Sequence, residues 1–238
     1  MVHFAVFQPL ILNNQTYECN PMFNNVFFRL NGINHNKQEH VDKGYAKLAQ
    51  AQGYRSRAIF KLKEIQEKDQ LIKPGMNIVD LGAAPGGWSQ YARPLMGNNN
   101  KLVALDILPM ETLENVLFIQ GDFREQTILD QLYDALAGDP VHLVMSDMVP
   151  NMFGSKHLDY YAAQDLCELA LDAAKTLLTP GGSFLVKAFH GEEFESFHKD
   201  IQQHFDKVLI RKPKSSKLRA YEVYILAKGF KSPKPAPI

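Results

Sequence analysis

From about residue 37 the chain alternates between two hydrophobic periods. Residues 56–71, SRAIFKLKEIQEKDQL, put Ile59, Leu62 and Ile65 on one face and charges on the other, the spacing of an amphipathic helix. Lys-Pro-Gly at 73–75 ends it, and MNIVDLG follows as a short apolar strand. The pattern then predicts a helix over 88–95, strands over 101–107 and 115–123, a helix over 124–136 and a strand over 141–148. Ala162, Leu166, Leu169, Ala170, Ala173 and Leu177 recur at helical spacing across 159–178. Pro-Gly-Gly at 180–182 punctuates that helix, and SFLVKAF, 183–189, reads as a fifth strand. A helix near 192–204 and two further strands, KVLIRK and AYEVYILAKG, complete the series.

Strands alternating with helices predict an α/β fold: a mostly parallel, seven-stranded sheet with helices on both faces. The strands are near-continuous apolar runs, as expected when both faces are covered. The last two strands are joined by a polar loop without a helix, which allows one of them to be antiparallel. In such sheets ligands bind outside the carboxyl ends of the strands. Those ends carry Asp80, Asp106, Asp122 and Asp147, with Lys187 near the end of the fifth. One such Asp is readily a cap or turn residue. Four of them with a lysine on the same edge point to a site.

Residues 78–91, IVDLGAAPGGWSQY, hold the densest chemistry. A glycine turn after a first strand lets a ligand lie against bare backbone at a helix N-terminus. The spacing from Gly82, G-A-A-P-G-G, departs from the dinucleotide fingerprint G-x-G-x-x-G, which disfavours NAD. The turn lacks the lysine of a P-loop, which disfavours ATP. Asp106 ends the second strand, where an acid accepts hydrogen bonds from ribose hydroxyls. The expected ligand is therefore of adenosine type.

Composition narrows the class without naming a partner. The 238 residues are 45% hydrophobic and 22% charged, with 26 basic and 26 acidic residues, an ordinary globular balance. Zero net charge means that any nucleic-acid site must be a local patch. Cys19 and Cys167 fit neither a disulfide framework nor a metal cluster, and read as free thiols of a cytoplasmic protein. No metal site is expected. No apolar run nears the ~20 residues that span a bilayer. Residues 1–36 are rich in asparagine and aromatics without a helix or strand period, and are expected to be a disordered extension or sequence upstream of the true start. The domain is expected over 37–230, with a Pro-rich, disordered tail at 231–238. A monomer is the default expectation.

Six ordered strings carry a resemblance: YRSRAIFKL, DLGAAPGGWSQ, QGDFR, MSDMVPN, PGGSFLVKAF and RAYEVYI. Over about residues 37–230 the chain closely resembles the FtsJ/RrmJ (RlmE) family of ribosomal RNA large-subunit methyltransferases. The resemblance implies a Rossmann-like, S-adenosylmethionine-dependent enzyme. It implies methylation of the ribose 2′-hydroxyl of a uridine in 23S rRNA on the 50S particle, in support of ribosome maturation. The family's cofactor positions fall on Gly86, Trp88, Asp106, Asp122 and Asp147. Its Lys-Asp-Lys-Glu tetrad falls on Lys61, Asp147, Lys187 and Glu222, with Lys187 as general base, Asp147 and Lys61 setting its pKa and position, and Glu222 on the substrate ribose. The residues alone give blander readings beside these. Trp88 reads also as core, Glu222 as a solvated edge-strand acid, and Lys61 as a solvated lysine on the polar face of its helix.

Two acid-free basic runs flank Lys61 and Glu222 in sequence. One, 43–57, carries Lys43, Lys47, Arg55 and Arg57, with Tyr45 and Tyr54 available for stacking; the other, 207–219, carries Lys207, Arg211, Lys212, Lys214, Lys217 and Arg219. Together they suggest RNA contacts that would be strongly salt-dependent. The competing readings are a tRNA ribose 2′-O-methyltransferase on the same scaffold, an NAD-dependent dehydrogenase, and a non-catalytic RNA-binding assembly factor.

Overall fold

The computed structural model describes residues 43–150, 154–216 and 221–231. The segments expected to flank the domain, 1–36 and most of 231–238, lie outside the described residues, as do Cys19, Lys217 and Arg219. Helix α1 (43–51) leads to α2 (Ile59–Asp69), β1 (Ile78–Leu81), α3 (Gly87–Met96), β2 (Leu102–Asp106), β3 (Leu117–Gln120), α4 (Gln126–Leu136) and β4 (Val141–Ser146). Helix α5 (Lys156–Leu177), β5 (Leu178–Phe189), α6 (Phe194–His204), β6 (Phe205–Arg211), a 3-10 turn (Lys214–Ser216) and β7 (Glu222–Phe230) complete it.

The strands form one seven-stranded sheet in the order β3-β2-β1-β4-β5-β7-β6. Strands β1 to β5 pair in parallel, and β7 runs antiparallel to both β5 and β6. The strand order reverses between β1 and β4, the place where such sheets open a crevice for ligands. Two expectations change here. Strand β5 begins at Leu178, five residues early, because the Pro-Gly-Gly stretch stays in the strand across a register shift against β4. Strand β7 is interior, so Glu222 lies on no edge and is only 1% exposed.

Side-chain alternation sorts each strand between two cores. Val79, Leu81, Val103, Val144, Phe184, Val186 and Val223 face α4, α5 and α6. Ile78, Leu102, Leu143, Met145, Leu185, Tyr224 and Leu226 face α2 and α3, meeting Leu62, Ile65, Trp88 and Met96. Extending this parity sends Asp80, Asp147, Lys187 and Glu222 to the α2–α3 face. The far end of α2 is tied to the sheet by a bidentate pair, Arg211 Nε and Nη2 to Asp69 Oδ2 and Oδ1 at 2.7 and 2.6 Å. Lys228 also donates to the Asp69 carbonyl at 2.8 Å. Among the described residues no helix is long and apolar enough to cross a membrane.

Candidate active site

Four charged residues from four separated segments meet on that face. Lys187 Nζ donates to Asp147 Oδ1 at 2.9 Å and to the Asp147 carbonyl at 2.6 Å. Lys61 Nζ lies 2.8 Å from Glu222 Oε1 and 3.8 Å from Asp147 Oδ1, so it bridges both acids. Lys61 is 8% exposed and therefore sits on the buried face of α2, not the solvated face its sequence neighbours suggest. The helix can hold it there because Leu62 and Ile65 anchor that side while acids on the sheet receive the charge.

Two neighbours that sequence reasoning passed over complete the cluster. Tyr224 donates its hydroxyl to Asp147 Oδ1 at 2.6 Å, and Lys61 Nζ sits 5.5 Å from the centre of its ring. Ser216 Oγ donates to Glu222 Oε1 at 2.6 Å, and Lys212 donates to the Glu222 carbonyl. The signal for Tyr224 was in the strand period: it is two residues from Glu222, on the same face of β7. Ser216 offered no such signal, since only the 3-10 turn brings it back.

Burial governs the electrostatics. It pushes the Lys187 ammonium below its ordinary range, with Lys61 adding to the effect and Asp147 and Glu222 opposing it. For Asp147, burial pulls upward, but Lys187, Lys61 and the Tyr224 hydroxyl outweigh it and hold the carboxyl below its usual range. Burial likewise opposes ionisation of Glu222, and Lys61 with Ser216 outweighs it, so that carboxyl is also depressed. The result is a lysine whose ammonium is less favoured than that of a free lysine, held by an aspartate whose ionised form is favoured.

Beside this cluster opens a cleft of about 270 Å³ lined by Lys61, Asp147 and Lys187, by Asp80, and by the turn after β1. Asp80 is 1% exposed and accepts the Ser89 hydroxyl at 2.7 Å. Burial pushes its carboxyl up to about 7 against that hydrogen bond, with the charges of Asp147 and Asp106 adding. The turn itself is kept bare by the protein's own packing. A Cβ at Gly82 would collide with Met148 Cγ, and one at Gly87 with Ser56 Oγ. At Gly86, with φ of +104°, it would meet Met110 Sδ at 2.9 Å and Arg55 Nη1 at 3.1 Å. Gly86 thus serves first to let neighbouring loops close on the turn.

Trp88 is both core and wall: 3% exposed, it packs on Tyr224, donates Nε1–H to the Ala58 carbonyl at 2.9 Å and lines the cleft. Asp106 and Asp122 do not line the cleft. Asp106 accepts the amides of Ala84 at 2.9 Å and Leu108 at 2.8 Å, fixing the glycine turn against the loop after β2. Asp122 pairs with Arg124, whose Nε lies 2.9 Å from each carboxylate oxygen and holds the carboxyl below its usual range.

The expected RNA-facing residues divide. Tyr45 and Tyr54 pack their rings on Phe60, at 5.3 and 6.4 Å, and so help fix α1 to α2. Arg211 is committed to Asp69, and Arg55 donates to three backbone carbonyls. Lys47, Lys207 and Lys214 remain on the exposed surface, and Arg57 lines the cleft.

Known proteins resemble this chain over most of its length. The FtsJ-like methyltransferase family matches residues 54–230. The chain is 55% identical over 193 residues to the ribosomal RNA large subunit methyltransferase E of Legionella pneumophila (strain Corby), covering 81% of this chain and 94% of that protein. It is 53% identical over 194 residues to the protein of the same name from Pseudomonas aeruginosa (strain PAO1), covering 82% and 94%. A crystal structure of a Plasmodium falciparum protein described as a ribosomal RNA methyltransferase superposes with a TM-score of 0.67 at 28% identity, over 74% of this chain and 98% of that one. With a Rossmann-like sheet, the charged cluster at its carboxyl edge and a match across most of its length, this chain belongs to the FtsJ-like methyltransferase family.

Proposed function

We propose that this methyltransferase uses S-adenosylmethionine to methylate the ribose 2′-hydroxyl of a uridine in large-subunit (23S) rRNA, on the 50S particle. The observation that carries the chemistry is Lys187, 3% exposed, pinned to Asp147 and facing the cleft. A buried lysine is costly and is retained where its reactivity is used. The ribosomal substrate rests on the names of relatives at 53–55% identity.

The residues present fit the cofactor. The turn from Gly82 to Pro85 and the first residue of α3 line the cleft, Asp80 and Asp147 supply acids there suited to a positively charged sulfonium, and Asp106, which already accepts two backbone amides, has carboxylate lone pairs left for a ribose diol. Gly86, Trp88, Asp106, Asp122 and Asp147 would hold it. S-adenosylmethionine supplies a methyl group already activated for in-line displacement.

The protein's own part is to orient the hydroxyl and take its proton. A neutral Lys187 amine donates its two N–H bonds to the Asp147 carboxylate and carbonyl. Its lone pair is left to accept the 2′-hydroxyl proton. Asp147 then stabilises the ammonium that forms. Lys61 disfavours that ammonium beforehand, which favours the unprotonated amine, while Glu222 holds Lys61 and offers its carboxylate to the substrate ribose.

The test is transfer of labelled methyl from S-adenosylmethionine to 50S particles from a strain lacking this activity, with tRNA as the parallel substrate. Label at one ribose 2′-oxygen of 23S rRNA is the expected result. Label on tRNA alone moves the substrate, and no label on either leaves an RNA-binding protein.

A further inference from the structure

We infer that Arg55 is a positioning residue for the cofactor, a clamp between two loops, and not a contact to RNA phosphate. The inference rests on the S-adenosylmethionine reading above. Arg55 stands in a basic run, between Lys47 and Arg57, where a phosphate contact would be the natural assignment. Its guanidinium is occupied otherwise. Nη1 donates to the Glu111 carbonyl at 2.6 Å and the Pro85 carbonyl at 3.3 Å, and Nη2 donates to the Thr112 carbonyl at 2.7 Å.

Those carbonyls belong to the two segments that would frame the cofactor. Pro85 is in the glycine turn, and Glu111 and Thr112 are in the loop that follows Asp106. The arginine itself is fixed from a third direction. Its amide donates to Gln90 Oε1 at 3.0 Å, and Gln90 Nε2 donates to the Gly53 carbonyl at 2.9 Å, so α3 grips the segment on both sides. The same segment runs on into α2, which carries Lys61.

Gly86 fits this account. Its positive φ and missing Cβ make room for Met110, Leu113 and the Arg55 guanidinium together. A planar group with a fixed fork of donors can hold three carbonyls at once, whereas a lysine ammonium cannot match that geometry. The clamp therefore sets how far the turn stands from the Asp106 loop.

The charge-keeping variant Arg55→Lys separates the two assignments. A phosphate contact survives it largely intact, because the phosphate term depends on charge. A carbonyl clamp does not. Calorimetry with S-adenosylmethionine should show Kd raised at least about tenfold in both Arg55→Lys and Arg55→Ala. Affinity for 50S particles and its salt slope should stay as in wild type, and methyl transfer should show a raised KM for the cofactor with kcat near wild type at saturation. Thermal denaturation identifies an unfolded variant, and should Arg55→Ala fail to fold, Arg55→Lys carries the test. Unchanged cofactor Kd in a folded Arg55→Lys, or weakened 50S binding in Arg55→Ala that Lys restores, would overturn the clamp alone. A folded wild-type protein that binds no S-adenosylmethionine would overturn the cofactor reading and the clamp with it.

Discussion

Along one sheet edge, the ends of β1, β2 and β3 differ in construction from those of β4, β5 and β7. On the first side each acid has a partner within two to nine residues in sequence, Ser89 for Asp80, Leu108 for Asp106 and Arg124 for Asp122. Asp106 accepts an amide two residues on, at Leu108, and one in the neighbouring turn at Ala84; Asp122 is paired by Arg124. On the second side the partners are residues 61, 147, 187 and 222, assembled only when α2 docks and β7 inserts between β5 and β6. The first side is a local motif that a short peptide string can encode. The second is a product of topology, and its buried charges depend on one another. Changes on the second side should therefore propagate, and those on the first should stay local.

The largest expected effect is at Lys187. Replacement by Met keeps the apolar stem and removes the proton acceptor. Methyl transfer should fall by roughly 10²–10⁴-fold, the usual worth of a positioned base. Cofactor affinity should change little, as measured by calorimetry. In the wild type, single-turnover rates should rise with pH until the amine is neutral, at a pH below the ordinary lysine range because burial depresses that group. The rising limb should be absent in the variant; its persistence would assign the base elsewhere.

Mutual dependence is tested at Lys61 and Glu222. Lys61→Met removes the cation 2.8 Å from the Glu222 carboxylate, which is 1% exposed. Urea denaturation should show a loss of roughly 3–5 kcal/mol, and the double variant Lys61→Met/Glu222→Leu should recover most of it. The pH dependence has a definite sign. Glu222 and Asp147 are depressed in the fold, so their contribution is present above the unfolded carboxylate range and is lost as pH falls through their lower folded values. Additive single and double variants would mean that the pair is not coupled.

The same contrast explains what was legible in the sequence. Hydrophobic period gave the strands and helices because each core face repeats every second or every third to fourth residue. The glycine turn and strand-end acids were visible because the motif is contiguous. Period also misled: Lys61 follows Phe60 and precedes Leu62, and one residue at a helix boundary face looks solvated until an acid is known to lie opposite. Glu222 looked like an edge residue because strand order is not written locally; the final strand in sequence is interior in space. Tyr45, Tyr54 and Arg55 looked like an RNA surface because residue type does not reveal which polar or aromatic groups the fold uses for itself.

Asp80 lies where the two sides meet, and its replacement should show a pH window. Its folded carboxyl is raised from 3.8 to about 7. Between those values the folded state keeps a proton that the unfolded chain has released, so stability falls as pH rises through the window and levels off above it. Asp80→Asn keeps an acceptor for Ser89 and removes the slope. The difference in stability between variant and wild type should be near zero at about pH 4 and grow toward roughly 4 kcal/mol at most by about pH 8. Denaturation curves at a series of pH values decide it, and parallel curves would show that Asp80 ionises freely.

The smallest expected effect lies outside the cleft. The Arg124 side chain is 70% exposed, so its pair with Asp122 is worth less than about 1 kcal/mol to the fold. Arg124→Ala should leave stability nearly unchanged and let the Asp122 carboxyl return toward its ordinary range, since that arginine is what depresses it. Asp122→Asn should be equally mild for stability, yet raise the S-adenosylmethionine Kd by about tenfold if the acid accepts a hydrogen bond from the cofactor. The two variants thus split one surface pair into a structural partner and a ligand-binding one. Equal and negligible changes in cofactor Kd would reduce Asp122 to the partner of Arg124, and confine the cofactor's acid contacts to Asp106 and the cleft.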